Sequence, residues 1–204
     1  MIVIVDYGMG NLRSVEKAFA FLGHEAMVSG DPDALRDAAG VVLPGVGAFG
    51  DAMRELEARG LVAALRETLE KRVPFLGICL GYQLLCGESQ ESPGVSGLGA
   101  LPGRVVRFPP GVKVPHMGWN DVRLARPHPL FQGVDEGSYF YFVHSYYVEL
   151  DRDEDALALT DYGIRFASGA ARENMVGLQF HPEKSSSAGL RVLENFARWC
   201  AGEG

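Results

Sequence analysis

Residues 2–5 (IVIV) form an unbroken apolar run that stops at Asp6 and Gly8. A short run bounded by turn formers, without polar alternation, predicts a strand buried on both faces. The period then changes: Leu12, Val15, Phe19 and Leu22 recur at helical spacing as far as Gly23. Asn11 can cap the start of that helix, and Gly23 supplies a permissive C-terminal position. AGVVLPGVG repeats the theme, with a buried strand over 40–43 and a glycine-rich turn after it. Ala52 to Glu70 has helical periodicity with a break near Gly60, and VPFLGICLGYQLL gives a third strand running into a third helix. Three strand-to-helix units before residue 90 predict an α/β fold with a central, largely parallel sheet flanked by helices.

The second half has a different texture. RVVRF, SYFYFVHSYYVEL and MVGLQF are rich in aromatic and β-branched residues and predict strands. Pro109, Pro110 and Pro115 mark a loop, HPHPLFQG marks another, and DRDEDAL is a charged surface turn. GLRVLENFARWC closes the chain as an amphipathic helix. Neither an internal repeat nor a break in composition divides the chain, so one domain over residues 1–204 is expected.

Composition narrows the choice of partners. The chain has 204 residues, 47% of them hydrophobic, which suits a packed globule. Its formal charge of -7 disfavours phosphate backbones, and Arg104 and Arg107 alone make no basic patch. Cys79, Cys86 and Cys200 form neither a disulfide framework nor the paired spacing of a zinc site. MIVIVDYGMG lacks a basic leader, and no apolar stretch approaches the length that crosses a bilayer, so a cytoplasmic location is expected.

Cys79 is the leading chemical candidate. In FLGICLGYQLL it stands between Gly77 and Gly81, at the predicted junction of strand and helix. This is the thiol form of a nucleophile elbow, where small neighbours leave the side chain accessible and the helix start favours negative charge on sulfur. A thiol merely buried behind a strand is the competing reading, and it is preferred for Cys86 and Cys200. In QFHPEKS, His181 follows an apolar run and Glu183 comes two residues later. Pro182 disfavours the helical region at His181, and in an extended segment positions two apart share a face. Glu183 can then orient one imidazole nitrogen while the other serves Cys79. A structural His–carboxylate pair is the alternative, and the elbow tips the balance toward catalysis. Acyl transfer also needs donors for a developing oxyanion. The backbone N–H of Leu80 and the turn around Val46, flanked by Gly45 and Gly47, are the candidates.

Taken together these segments resemble the class I (triad) glutamine amidotransferases, through GICLGYQLL and QFHPEKS. VDYGMGNLRSV, LPGVGAFGDAM, PHMGWN and FYFVHSYY narrow the resemblance to the glutaminase subunits of imidazole glycerol phosphate synthase. It implies a single-domain amidotransferase fold and a triad of Cys79 as nucleophile, His181 as general acid/base and Glu183 as its orienting carboxylate. It implies that the segment from Gly45 through Val46 to Gly47 is an oxyanion strand, whose peptide rearranges in relatives before its N–H points inward. Gln83 corresponds to a residue contacting bound glutamine, and Ser145 and Tyr146 to residues holding its α-carboxylate end. His144 receives no proton-transfer role. A (β/α)₈ cyclase subunit is the implied partner in a heterodimer. It would take up ammonia for histidine biosynthesis and be contacted around Asn11, Trp119 and Asn120. Trp119 could equally be a core aromatic, but a polar, glycine-containing loop favours the interface. No metal or other cofactor is expected, because a thioester route needs neither. The sequence departs from the family at Tyr82, at Cys86 and in the serine run after Lys184, which puts local packing in question. The rival readings are another pathway's glutaminase, a cysteine peptidase, and a non-catalytic protein that binds the cyclase.

Overall fold

In the computed structural model, which describes residues 1–203, the first apolar run is strand β1 (Ile2–Val5), buried throughout. Helix α1 (Leu12–Phe21) follows, and then β2 (Ala26–Ser29), α2 (Pro32–Arg36) and β3 (Gly40–Gly45). Helices α3 (Phe49–Ala58) and α4 (Leu61–Glu70) are separated at Gly60, as the pattern predicts. Next come β4 (Phe75–Cys79) and the short α5 (Leu80–Leu84). The remaining strands are β5 (Gly103–Arg107), β6 (His116–Asp121), β7 (Arg123–Leu124), β8 (Tyr139–His144), β9 (Tyr146–Leu150), β10 (Ala156–Asp161), β11 (Arg165–Arg172) and β12 (Met175–Leu178). Helix α6 (Ser186–Cys200) ends the described chain.

The central sheet has eight strands in the order β2-β1-β3-β4-β12-β11-β10-β7. Pairing is parallel from β2 through β12 and antiparallel across β11, β10 and β7. Alternation along the strands divides the core. Ile2, Ile4, Val42, Leu76 and Ile78 face one side, with Val15 and Phe19 of α1 and Val192 and Phe196 of α6. Val3, Val5, Val41, Leu43 and Phe75 face the other, with Leu35 of α2 and the apolar stripes of α3 and α4. Helices on both faces explain the unbroken apolar runs, since no residue of such a strand meets water. The carboxyl ends of β3 and β4 lie side by side, Gly45 opposite Cys79, at the edge where α/β sheets place their ligands.

Several local expectations need correction. β2 and α2 lie between the first two predicted strands. β2 is a half-buried outer strand too short to stand out, and α2 is five residues capped by the Asp31 carboxylate, which accepts from Asp33 N–H. Asn11 precedes α1, but its side chain makes no capping hydrogen bond. DRDEDAL is not wholly superficial, because Asp155 is buried and paired with Arg172. SYFYFVHSYYVEL is not one strand: it breaks at Ser145, with β8 pairing β6 and β9 pairing β5 in two small antiparallel ribbons. Trp119 therefore lies on a strand, β6, and not in a loop. Antiparallel register puts Met117, Trp119, Tyr139, Tyr141 and Val143 on one face of the β6–β8 ribbon, and His116, Asn120, Phe140, Phe142 and His144 on the other. The first face exposes Met117, Trp119 and Tyr139, whereas His116, Phe140, Phe142 and His144 are buried.

Candidate active site

Cys79 ends β4 and begins α5 with φ +55° and ψ -107°, a backbone conformation that non-glycine residues rarely adopt. Such a residue persists only where its surroundings hold it, at a cost on the order of 1–3 kcal/mol. The glycines provide that setting. A Cβ on Gly77 would meet the Gly81 carbonyl oxygen at 2.8 Å, and one on Gly81 would lie 1.7 Å from the Leu43 carbonyl oxygen. Gly45 is equally confined, between the Tyr7 hydroxyl and Leu80 Cβ. That hydroxyl donates to the Pro44 carbonyl at 3.0 Å, fixing the end of β3 against the elbow.

His181 has φ -99° and ψ 97°, the extended backbone that Pro182 favours, but Glu183 belongs to a single 3-10 turn over Pro182–Lys184. The turn, not a continuous extended segment, carries the carboxylate back, and His181 Nδ1 lies 2.9 Å from Glu183 Oε1. Both side chains are almost completely shielded. Burial pulls the imidazolium down, but Cys79 and the Glu183 carboxylate outweigh it and push the His181 pKa up to about 9. Nε2 is buried with no hydrogen-bond partner, so it is the nitrogen free for chemistry. The serine run contributes structurally: Ser185 Oγ donates to the His181 carbonyl and accepts from Tyr141 N–H, tying the His181–Glu183 turn to β8.

A cavity of about 330 Å³ opens beside Cys79. Val46, Gly47, Leu80, Gln83, Ser145 and Tyr146 line it, together with Val143, His144, Pro115 and Glu91. Of the sequence candidates for substrate contact, only Gly45 does not line it and acts instead through close packing. Gly47 has φ +101°, which allows the chain to turn sharply after Val46. Gln83 Nε2 donates to the Tyr146 carbonyl at 3.0 Å and to Gln179 Oε1 at 3.2 Å. That orients the Gln179 amide, whose Nε2 donates toward Cys79 Sγ at 3.7 Å. Gln179 and Glu91 were not singled out from sequence. Gln179 stands two residues before His181 on the same segment, a usable signal, whereas Glu91 lies in an irregular loop with no pattern to mark it. Tyr82 turns away from the cavity, packing over Gly177 and donating to the Ala167 carbonyl, so this departure does not reshape the pocket. Cys86 is fully buried, and burial pushes its thiol up to about 12, in keeping with a structural role.

Asn11 and Trp119 are exposed, whereas Asn120 is turned inward, donating to His116 Nε2 and to the Asp161 carbonyl. No group of His, Cys, Asp and Glu among the described residues could hold a metal ion. No helix among them is long and apolar enough to cross a membrane.

An α/β sheet bearing a strained Cys elbow and a buried His–Glu pair defines a class of enzymes, and the sequence falls within it: residues 3–199 match the family described as Glutamine amidotransferase class-I, and the chain belongs to that family. The chain is 56% identical over 195 residues to the imidazole glycerol phosphate synthase subunit HisH of Moorella thermoacetica, covering 96% of this chain and 93% of that one. It is 54% identical to the HisH subunit of Methanothermobacter thermautotrophicus, over 96% and 97% of the two chains. Among solved structures, PurLQS from Thermotoga maritima shares the fold, with a TM-score of 0.76 at 20% identity over 97% of each chain.

Proposed function

We propose that residues 1–204 form a type 1 glutamine amidotransferase domain that acts as the glutaminase subunit of imidazole glycerol phosphate synthase, releasing ammonia for a cyclase subunit. The observation that carries this reading is that Cys79 borders the cavity at the carboxyl edge of the sheet and interacts with His181, whose Nδ1 is held by Glu183. High identity to HisH subunits over nearly the whole chain supports the choice of pathway.

In this mechanism the Cys79 sulfur attacks the side-chain amide carbon of glutamine. The negative charge developing on oxygen is met by the Leu80 N–H and by backbone N–H groups of the Val46–Gly47 segment. Protonated His181 delivers its proton to the departing nitrogen, ammonia leaves, and a γ-glutamyl thioester remains. Neutral His181 then takes a proton from water, whose oxygen attacks the thioester carbon; the C–S bond breaks, glutamate leaves, and the thiolate with protonated His181 is restored. Glu183 holds the imidazole by Nδ1 and stabilises its cationic form. Ser145 and Tyr146 border the α-carboxylate end, and Gln83 braces the Tyr146 carbonyl. Glu91 is the carboxylate of the cavity and suits the substrate's α-ammonium group. The partner surface is the exposed face of the β6–β8 ribbon around Trp119, with Asn11 beside the first glycine turn and Asn120 supporting the ribbon from beneath. A cytoplasmic setting, where glutamine and a cyclase subunit meet, completes the proposal.

The deciding experiment measures glutamate release from glutamine by the purified chain, alone and with the cognate cyclase subunit carrying its nucleotide ligand. Strong stimulation by the liganded cyclase supports the reading. Rapid release indifferent to the cyclase assigns the triad to another pathway, and none in either arm, with complex formation confirmed, favours a non-catalytic binder. Two variants test individual roles in the complex. Glu183→Gln should lower kcat by roughly 10²–10⁴-fold and move the alkaline limb of the pH–rate profile to lower pH, since without the carboxylate His181 loses its proton more readily. An unchanged profile removes Glu183 from the triad. Glu91→Gln keeps an oxygen to accept from Phe49 N–H, which now donates to Glu91 at 2.8 Å. Loss of the charge should raise KM for glutamine about 10-fold with kcat little altered. An unaltered KM sets that contact aside.

A further inference from the structure

Beneath the β6–β8 ribbon lies a line of hydrogen bonds that the proposed chemistry does not use. Asn120 Nδ2 is 3.2 Å from His116 Nε2, His116 Nδ1 is 2.9 Å from His144 Nε2, and His144 Nδ1 is 2.8 Å from the Tyr146 carbonyl oxygen. Every proton in this line is dictated by its neighbour. The Tyr146 carbonyl only accepts, so His144 Nδ1 carries the proton. Burial pulls His144 down to about 3 despite its bond to the Tyr146 backbone, and pulls His116 down to about 4. Both rings are therefore neutral, which leaves His144 Nε2 a bare acceptor. His116 Nδ1 must then donate, and its Nε2 must accept from Asn120. Asn120 is oriented independently, because its Oδ1 accepts from Asp121 N–H at 2.9 Å and its Nδ2 donates to the Asp161 carbonyl.

The inner end of the line meets the site. Tyr146 and His144 line the substrate cavity, and the Tyr146 carbonyl also accepts from Gln83, which leads through Gln179 to Cys79 Sγ. Aromatic packing leaves the two rings little freedom: His116 stacks between Phe142 and Tyr162, at 4.6 and 3.9 Å between ring centroids, and Phe108 packs against His144 at 5.3 Å. The outer end belongs to the strand whose opposite face exposes Met117 and Trp119.

We propose that His116 and His144 are positioning residues, a directional relay that sets the Tyr146 carbonyl, and with it the glutamine pocket, according to the state of the β6–β8 ribbon at Asn120. This rests on the glutaminase reading for its substrate. The relay is all-or-none, because reversing any member places two donors or two acceptors face to face at the next. A change at Asn120 must therefore reach His144, with which it has no hydrogen bond.

The test has a spectroscopic and a kinetic arm. In the full chain with ¹⁵N-labelled histidine, the ring signals of His116 and His144, assigned by loss in H116N and H144N, should both show Nδ1–H and bare Nε2. Asn120→Asp offers only acceptors to His116, so the His144 ring signals should shift along with those of His116. His144 signals that ignore this substitution, or either ring protonated on Nε2 in the parent chain, overturn the relay. In the complex with the cyclase, His144→Phe removes the donor to Tyr146 and should raise KM for glutamine about 10-fold, with kcat within about threefold. His144→Asn, whose amide can replace Nδ1–H, should recover most of that loss. Phe and Asn variants with equal KM overturn the positioning role. Absence of glutamate release by the parent complex overturns the glutaminase reading instead, and the ring signals still decide the relay.

Discussion

Replacing Cys79 by alanine should lower glutamate release from glutamine by at least about 10³-fold, with the fold and the complex intact. The substitution removes only a sulfur, and alanine is no larger than the residue it replaces. The loss falls on the bond-forming step, because among the described residues no other thiol lines the cavity. The same complex supplied with ammonia in place of glutamine should still form the cyclase products, since that half of the reaction does not pass through sulfur. Residual glutamine turnover near the parent rate removes Cys79 as the nucleophile. Loss of the ammonia-driven reaction as well points to a failure of assembly. A glutamine-like electrophile should label the parent chain at Cys79 and spare the variant, which separates an enzyme from a non-catalytic binder of the cyclase.

What could be foreseen from sequence follows from how local each feature is. β1, β3 and β4 announce themselves because burial on both faces removes all polar residues from short runs, and α1, α3, α4 and α6 because one face of each is apolar. The elbow is legible for a similar reason: Gly77, Cys79 and Gly81 are neighbours in the chain, and the need for small residues there is imposed by the turn itself. β2 is not legible because an outer strand covered on one side carries no strong pattern. The break at Ser145 was hidden within a continuous aromatic run, since the run satisfies two ribbons as readily as one strand. The contacts of His116 and Gln179 could not be placed by pattern, although the spacing of Gln179 from His181 marks its segment. Their partners, His144 and Cys79, are distant in sequence, and only the folded sheet brings them together. The inward turn of Asn120 is a matter of strand alternation, visible only once β6 is known to be a strand.

The second large effect is structural, and it tests why the elbow is built from glycine. A Cβ on Gly81 would stand 1.7 Å from the carbonyl oxygen of Leu43, a backbone atom of a strand that is buried throughout. Leu43 is paired in register with Gly77 of β4, so it cannot withdraw without opening the sheet at the site. A flexible side chain could swing aside from such a contact, but a central strand cannot. Gly81→Ala should therefore cost about 3–5 kcal/mol, and for a chain of this size lower the melting temperature by roughly 10 °C. Gly87 provides the control, because a Cβ there meets nothing within 4 Å, and Gly87→Ala should melt within about 2 °C of the parent. Equal melting temperatures for the two variants would mean that β3 yields easily and that the elbow is not clamped by the sheet. A large, selective loss at Gly81 would place the clamp where the mechanism needs it. The contact that forbids a side chain at Gly81 helps hold Cys79 in its strained conformation, with the sulfur at the mouth of the cavity.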